Sequence, residues 1–557
     1  MPSDDIDIAI AGAGPVGLTI GNYLGSLGLR TLILEARDTL IDYPRGVGMD
    51  DECLRSFQSI GLGDAIARHT TPGQKMRFVT ETGKTFALID PKTKEFGWPR
   101  RSSFIQPMVD EILYEGLRRF ETVRTVFGAE LLTFKQEADH VQLSVRHEGS
   151  DLAIKAKWLV GCDGGRSGVR KLLDIPFEGI TDSTRWVVID ILDDPVGLPD
   201  SYLHCVPSRP FVSIALPHGM RRLEFMVFGN ETEDELCSDQ GVQDLLARVL
   251  PYPARANVLR SRVYTHNARL ALNFRKDRVL IAGDAAHLMP VWQGQGYNSG
   301  IRDATNLAWK LGMVVRGEAS ADILDSYEAE RREHAKAMID LSVTAGRIFA
   351  PTNRLVAWLR DRIALALGAI PPVKRYIVQM RFKPMPRFTR GVVLTKAPGQ
   401  PDGRATGRLF PQPTVITTDG KACRLDDVIG LRFALLSWGT DPQLHLSDGL
   451  RQYWANIGAR PIAIVPATQL GNFRGSILEG TTLVGDPDGA LHEWFAQQEA
   501  DGSIVMLRPD RFVAGIAAPQ QLDDASRKLA RLIGGPLASA IAEPTGIYAS
   551  RLALPTP

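Results

Sequence analysis

Apolar runs punctuated by glycine open the chain. Residues 6–11 form one such run, GAGPVG follows at once, a helical pattern extends to about Gly28, and a second run, TLILE, closes at Glu35. Strand, tight turn, helix and strand within so short a span predict a βαβ unit. From Trp186 to Phe228 the pattern changes: SYLHCV, FVSIAL and LEFMVF are separated by the turn clusters PSRP and PHGMRR. Short apolar runs with turns between them predict an antiparallel meander rather than further βαβ units. A buried strand is expected in RVLIAGD (278–284), and long helices at about 300–315 and 321–347.

The Pro/Gly-rich stretch KAPGQPDGRATGRLFPQP (396–413) reads as a linker. Beyond it come FALLSW (433–438), PIAIVP (461–466), TLVGD (482–486), IVMLRP (504–509) and FVAGIA (512–517), then a helix from about Asp523 to Leu532. That α/β order is compatible with a thioredoxin-like domain. Where a redox thioredoxin carries CxxC after its first long strand, this chain has Gly439, Thr440, Asp441 and Pro442. Dithiol chemistry is excluded there, and a structural or assembly role is expected.

Composition narrows the class. A chain of 557 residues has room for roughly three domains. With 44% hydrophobic and 23% charged residues it is globular, and a net charge of +1 gives no reason to expect nucleic acid as a partner. Cys53, Cys162, Cys205, Cys237 and Cys423 form no CxxC and no metal-type spacing, which suggests a reduced compartment without disulfides. The apolar start follows Ser3, Asp4 and Asp5 rather than basic residues and is broken by glycines, which argues against a signal peptide. No apolar run approaches the roughly 18 residues of a membrane span. The cytoplasm is the expected location, with no membrane partner.

Three stretches carry candidate chemistry. Gly12, Gly14 and Gly17, with Pro15 among them, form GxGxxG between strand and helix. The first glycine permits the tight turn, the second lets backbone N–H groups approach a pyrophosphate, and the third lets helix and strand pack closely. The helix N-terminus adds partial positive charge, and Glu35 can accept bonds from ribose hydroxyls. The bland alternative is a turn needed only for packing. In LVGCDGGRSGVRK (159–171), Asp163, Gly164 and Gly165 end another apolar strand, suited either to a ligand or to an ordinary turn. In the third stretch, Gly283 and Asp284 end a strand, where Asp284 can hold a polyol hydroxyl. Pro290 lies in the following loop, and Gly294 and Gly296 lead into a helix. A helix N-terminus there would stabilise negative charge on a reduced flavin. A nicotinamide dinucleotide has no ribitol, so this late Gly-Asp turn favours FAD as the resident cofactor. His287 either assists the phosphates or caps, and is not assigned as a base.

GAGPVG, CDGGRSGVR and GDAAH…P…GQG, in this order and spacing, are similar to the three fingerprints of the class A FAD-dependent aromatic hydroxylases. The stretches IDYPRGVGMDDE (41–52), FGWPRR (96–101), YTHNARL (264–270), HAKAMIDLSVTAG (334–346), PPVKRY (371–376), MRFKPMP (380–386) and RPDRFVA (508–514) resemble the bacterial 3-(3-hydroxyphenyl)propionate hydroxylases in particular. The resemblance spans nearly the whole chain. It implies that Gly12, Gly14, Gly17 and Glu35 bind the ADP half of a non-covalent FAD, with Arg45 beside the isoalloxazine or the pyrophosphate. It places Gln106 near the phosphates, Asp163 at both FAD and the nicotinamide coenzyme, and Asp284 on the ribitol. The Pro290 carbonyl would face the substrate hydroxyl. Against these stand a surface arginine in a loop for Arg45 and a simple helix-start residue for Gln106.

The same resemblance implies α/β architecture: a Rossmann-like FAD-binding domain, an inserted antiparallel-sheet substrate domain and a C-terminal thioredoxin-like domain. The expected limits are 1–75, 105–180 and 276–350 for the FAD domain, and 76–104 with 181–275 for the substrate sheet. A helical connection (351–395), the linker and a C-terminal domain (414–557) follow. The implied activity uses NADH or NADPH and O₂ to hydroxylate 3-(3-hydroxyphenyl)propionate, and 3-hydroxycinnamate, to the 2,3-dihydroxy product through a flavin C4a-hydroperoxide. Water must be kept out of such a site, and FAD carries the chemistry. For the acid side chain the candidates are Tyr202, His204 and Val206, which share one face by period-two alternation, and Arg209 in the next turn. Each has a structural reading as core aromatic, satisfied sheet histidine or solvated arginine. No HExxH or paired Cys/His cluster offers a metal site, and no metal is expected. Alternatives are a same-fold monooxygenase acting on another phenol or a polyketide, an oxygen-independent flavin reductase, and a non-enzymatic binding protein. The WxWxIP motif of the related halogenases is absent, with Trp292 alone in PVWQG. A homodimer is compatible with all of them.

Overall fold

Ile8, Ala9 and Ile10 are fully buried, as a strand covered on both faces must be. In the computed structural model, which describes residues 6–397, 400–401, 403–498, 500 and 502–542, this strand (Ile6–Ala11) is central in a parallel sheet. Thr31–Leu34 pairs with it on one side and Ser150–Gly161 on the other. Val123–Val126 and Val279–Ile281 extend the parallel set outward. Parallel pairing points all their carboxyl ends the same way. The Gly12 turn, the Cys162–Asp163 turn and the Gly283–Asp284 turn therefore share one sheet edge, where open α/β sheets bind ligands. Backbone bonds hold the turns in register: Cys162 N–H donates to the Ala11 carbonyl at 2.7 Å, and Ala282 N–H to that of Gly161 at 2.9 Å.

The chain divides into two compact units. One contains the described parts of Met1–Thr305 and Arg331–Met385, the other those of Asn306–Glu330 and Pro386–Pro557. Besides the parallel sheet, the first unit has an eight-stranded sheet that includes Phe177–Leu192, Ser201–His204, Phe211–Ala215, Arg221–Val227 and Asn257–Ala271. Ser201–His204, Phe211–Ala215 and Arg221–Val227 pair antiparallel in sequence order. One pairing departs from an all-antiparallel sheet: Ser201–His204 runs parallel to Met76–Val79, because that strand arrives from far earlier in the chain and not through a hairpin. Arg101–Phe104, expected within the same sheet region, pairs instead with Gly48–Asp50 and Thr70–Pro72 in a separate three-stranded sheet. On one face of the large sheet Val187, Ile189, Leu223 and Phe225 pack with Leu245 and Leu246 of the helix Asp239–Leu246. Alternation leaves Trp186, Val188, Arg222 and Glu224 on the other.

Asp303, on the helix Gly296–Val315, ties that helix to the sheet edge. Its fully buried carboxylate accepts from Gly283 N–H at 3.0 Å, His287 Nε2 at 2.6 Å and Arg331 Nε at 2.8 Å. His287 is thus a partner of Asp303, not a phosphate ligand. A second buried group sets Arg302 against Glu52 (2.9 Å) and Asp50, with Lys383 2.7 Å from Asp50.

The second unit is built on a seven-stranded sheet. Within it, Ala434–Trp438, Arg460–Pro466 and Thr482–Asp486 run parallel, and Ile504–Leu507 and Val513–Ala517 antiparallel. The stretch expected to be a linker is partly core: Phe410 is fully buried among Val415, Ile429 and Leu436. An aromatic ring and three aliphatic neighbours outweigh the Gly/Pro composition around it. Residues 306–330, expected in the FAD domain, fall in this unit. There Glu330 pairs with Arg508 and Lys310 in a fully buried cluster, at 2.7 and 2.8 Å.

Removing the Asp303 charge leaves Arg331 buried without its carboxylate. Asp303→Asn should lower unfolding stability by about 3–5 kcal/mol, measured by urea denaturation at pH 7. Burial raises the Asp303 pKa, but His287 and Arg331 outweigh it and bring the carboxyl to about 2. A folded pKa below the unfolded value of about 3.9 stabilises above that value and is lost as pH falls toward 2. From pH 5 to 3 the wild-type urea midpoint should therefore fall more steeply than that of Asp303→Asn.

Candidate active site

The glycine turn has the geometry of a phosphate cradle. Gly12 has φ +108°, and a Cβ there would meet the Cys162 carbonyl oxygen at 2.5 Å. At Gly17 a Cβ would strike the Gly12 carbonyl oxygen at 2.1 Å, so helix Pro15–Ser26 packs this close only without a side chain. Gly14, which precedes that helix, has nothing within 4 Å of its Cβ position. That open space faces the cavity at the helix's positive end. Glu35, just past the second strand, accepts Ala13 N–H at 2.8 Å and Arg37 N–H at 3.1 Å, which sets its carboxylate beside the turn. Asp163 uses both oxygens locally, accepting from Ser167 Oγ at 2.5 Å and Val169 N–H at 3.0 Å. It shapes the turn around Gly164 more than it reaches outward.

Asp284 follows a constrained position: at Gly283 (φ +62°) a Cβ would meet Val16 at 2.7 Å. Arg45 Nη2 lies 3.3 Å from Asp284 Oδ2, both half-exposed at the cavity rim. The loop carrying Arg45 is latched from two sides. Gln106 Oε1 accepts Arg45 N–H at 3.2 Å and Gly46 N–H at 2.8 Å, while Arg222 Nη1 donates to the Arg45 carbonyl at 3.4 Å. Gln106 also donates to Asp110 at 2.9 Å. Its side-chain bonds therefore go to loop and helix, although the residue lines the cavity. Burial raises the Asp110 carboxyl to about 7, against the Gln106 hydrogen bond, and its Oδ1 has no hydrogen-bond partner among the described residues.

One cavity of about 660 Å³ joins these parts, from Gly12, Gly14, Pro15 and Glu35 past Arg45, Gln106, Asp163, Gly164 and Asp284 to Pro290, Gly294 and Gly296. Beyond Pro290 it ends among aromatic rings. Trp186 and Trp292 meet edge-on at 5.1 Å, and His266 lies parallel to Trp186 at 6.0 Å. The floor is the cavity-facing alternation of the large sheet, Val188, Leu203, Val212 and Ile214. A long site with an anionic-group cradle at one end, a helix N-terminus midway and an aromatic slot at the other fits FAD with a small aromatic beside it.

Of the residues expected to hold the substrate, Pro290 lines the cavity and Tyr202, His204, Val206 and Arg209 do not. The alternation has the opposite phase: Ser201 and Leu203 line the cavity. His204 stacks on Phe211 at 4.0 Å, where burial lowers its pKa to about 4. The strand ends at His204, before Val206. Arg209 is buried, gripping Glu231 and donating to the Met226 carbonyl at 2.7 Å. Sequence reasoning missed Arg101, Trp186, Arg222, Glu224 and His266. Charged Arg222 and Glu224 at alternate positions of the strand Arg221–Val227 were the signal, although Arg221, on the packed face and paired with Asp194, shows that charge alone does not mark the cavity side. Arg222 forks onto Asp190 at 2.8 and 2.9 Å. Burial pushes the Glu224 carboxyl above its ordinary range, against the pull of Arg222.

A family model described as an FAD binding domain matches residues 5–342, and one described as an HcaD C-terminal domain matches residues 407–532. The chain is 52% identical over 529 residues to the 3-(3-hydroxy-phenyl)propionate/3-hydroxycinnamic acid hydroxylase of Escherichia coli (strain SMS-3-5 / SECEC), covering 95% of each chain. The enzyme of that name from Shigella sonnei is 52% identical over the same share of both. Among solved structures, the flavin-dependent monooxygenase PieE superposes with a TM-score of 0.80 at 21% identity, covering 96% of this chain and 100% of that one; it speaks for the fold alone. The OxyS anhydrotetracycline hydroxylase from Streptomyces rimosus reaches 0.72 at 26% identity, over 96% and 100%. With the FAD model over more than half its length and relatives this similar along nearly all of it, the chain belongs to the class A FAD-dependent aromatic hydroxylases.

Proposed function

We propose that this enzyme uses NADH or NADPH and O₂ to convert 3-(3-hydroxyphenyl)propionate, and its cinnamate analogue, to the 2,3-dihydroxy acid. The observation that carries the reading is the single cavity running from the Gly14 cradle to the slot of Trp186, His266 and Trp292. Half of all positions shared with hydroxylases named for those acids supports the substrate.

In this reading the backbone from Gly12 to Pro15 and the following helix hold the pyrophosphate of FAD, and Glu35 its adenosine ribose. Asp284 takes a ribitol hydroxyl, exchanging Arg45 for it. The helix beginning at Gly296 directs its positive end at the pyrimidine edge, lowering the cost of negative charge there. Bound FAD supplies hydride acceptance and O₂ activation. The aromatic slot holds the phenol ring and keeps water from the reacting face, while the Pro290 carbonyl accepts the phenol O–H and orients the ring. Gln106, Asp163 and Gly164 shape the walls that FAD meets.

The domain reading is part of the proposal. The parallel sheet and its turns form the FAD domain, the eight-stranded sheet the substrate domain, and the C-terminal sheet a thioredoxin-like domain without CxxC. The mixed order of that last sheet, three parallel strands flanked on each side by an antiparallel pair, supports it. Its role is structural or in assembly, as in a homodimer, and the enzyme works in the cytoplasm. Among the described residues no helix is long and apolar enough to cross a membrane.

Turnover of the propionate under ¹⁸O₂ with each coenzyme should yield a catechol carrying one labelled oxygen, read by mass spectrometry. If neither the propionate nor the cinnamate accelerates coenzyme oxidation while a larger aromatic does, the substrate reading is wrong. Asp284→Ala removes a charged hydrogen-bond acceptor and should weaken FAD binding about tenfold to a hundredfold, measured by titrating the apoprotein and following flavin fluorescence. Unchanged uptake would remove Asp284 from the site.

A further inference from the structure

Four arginines line the cavity: Arg37, Arg45, Arg101 and Arg222. Three are accounted for. Arg222 is forked onto Asp190, Arg45 reaches Asp284, and Arg37 stands exposed beside Glu35 just past the second strand. Arg101 differs from these. Its Nε is shut off from solvent with no hydrogen-bond partner, and no charged group among the described residues offsets its burial. Burial alone lowers its pKa, to about 10, so the guanidinium stays charged at neutral pH.

The strand Arg101–Phe104 fixes this side chain at its base. Arg101 pairs with Asp50 across one edge, and its carbonyl accepts Gly73 N–H at 2.9 Å. A half-buried cation whose Nε is cut off from water is costly when nothing inside the protein answers it. The cost is recovered when a ligand brings the anion. Trp186, Trp292, Leu203 and Val212, which line the same cavity, offer a ring and a short aliphatic chain apolar contact.

We propose that Arg101 is the carboxylate anchor of the substrate site, forking onto the acid group of the phenolic acid while its ring lies in the tryptophan slot. The assignment rests on the hydroxylase reading above. A guanidinium matches a carboxylate with two parallel N–H donors, a geometry that an ammonium cannot reproduce.

The test compares two substrates of equal length on FAD-loaded enzyme: 3-(3-hydroxyphenyl)propionate and the uncharged 3-(3-hydroxyphenyl)propan-1-ol. Arg101→Met should collapse the preference in kcat/KM for acid over alcohol by about tenfold to a hundredfold, the range for a lost charged hydrogen bond. The loss should lie mainly in KM, and Arg101→Lys should restore part of it. Flavin absorbance and FAD affinity should match wild type, which also reports that the variant has folded. If wild type prefers the acid and Arg101→Met keeps that preference, the anchor is refuted and the hydroxylase reading stands. A loss of FAD affinity with equal damage to both substrates would assign Arg101 to the flavin and likewise refute the anchor. A wild type that does not turn over the propionate at all overturns the substrate reading, and the anchor with it.

Discussion

Parallel pairing makes the carboxyl ends of neighbouring strands meet at one edge, and the site is assembled on that constraint. Ile6–Ala11, Thr31–Leu34, Ser150–Gly161 and Val279–Ile281 come from widely separated parts of the chain, yet their last residues deliver Gly12, Glu35, Asp163 and Asp284 to one cavity. The turns can lie so close because Gly12 and Gly17 have no side chains to collide with the neighbouring carbonyls. A methyl group at either would separate helix from strand and open the edge.

Buried charge then fixes what the sheet alone leaves loose. Asp303 reaches from a helix to the Gly283 amide, and Arg222 reaches from the second sheet to the loop of Arg45. Such pairs carry a desolvation cost and are weak stabilisers compared with apolar packing. What they supply here is position: each connects an element that carries a site residue to a separate element of the fold. The Arg302, Lys383, Asp50 and Glu52 group does the same for the strand Gly48–Asp50. Beside that strand lies Arg101, whose guanidinium has no such partner.

The large sheet has two faces with different tasks. Leu223 and Phe225 fill a core under a helix, whereas Arg222 and Glu224, their immediate neighbours, face the cavity. A shift of one residue in register would exchange the two sets. The apolar core face makes that shift expensive, so packing on the far side determines which side chains meet a ligand.

Short-range information sufficed for the glycine turn, the strand before Asp284 and the long helices, because their signals are local: period, turn chemistry and spacing. It also sufficed for the family, since the fingerprints are contiguous stretches. The phase of Ser201–His204 was not local. Tyr202 and Leu203 are both credible wall residues in isolation, and only the cover over one face decides that Leu203 lines the cavity while His204 stacks on Phe211. Nor could composition show that Phe410 is core within a Gly/Pro-rich stretch, or that Arg209 is held by Glu231. Pairing of charges is settled by contacts between residues distant in the chain. Which arginine is left without a carboxylate is therefore a property of the tertiary structure, whereas the strand, glycine turn and helix that open the cavity are already written in residues 6–35.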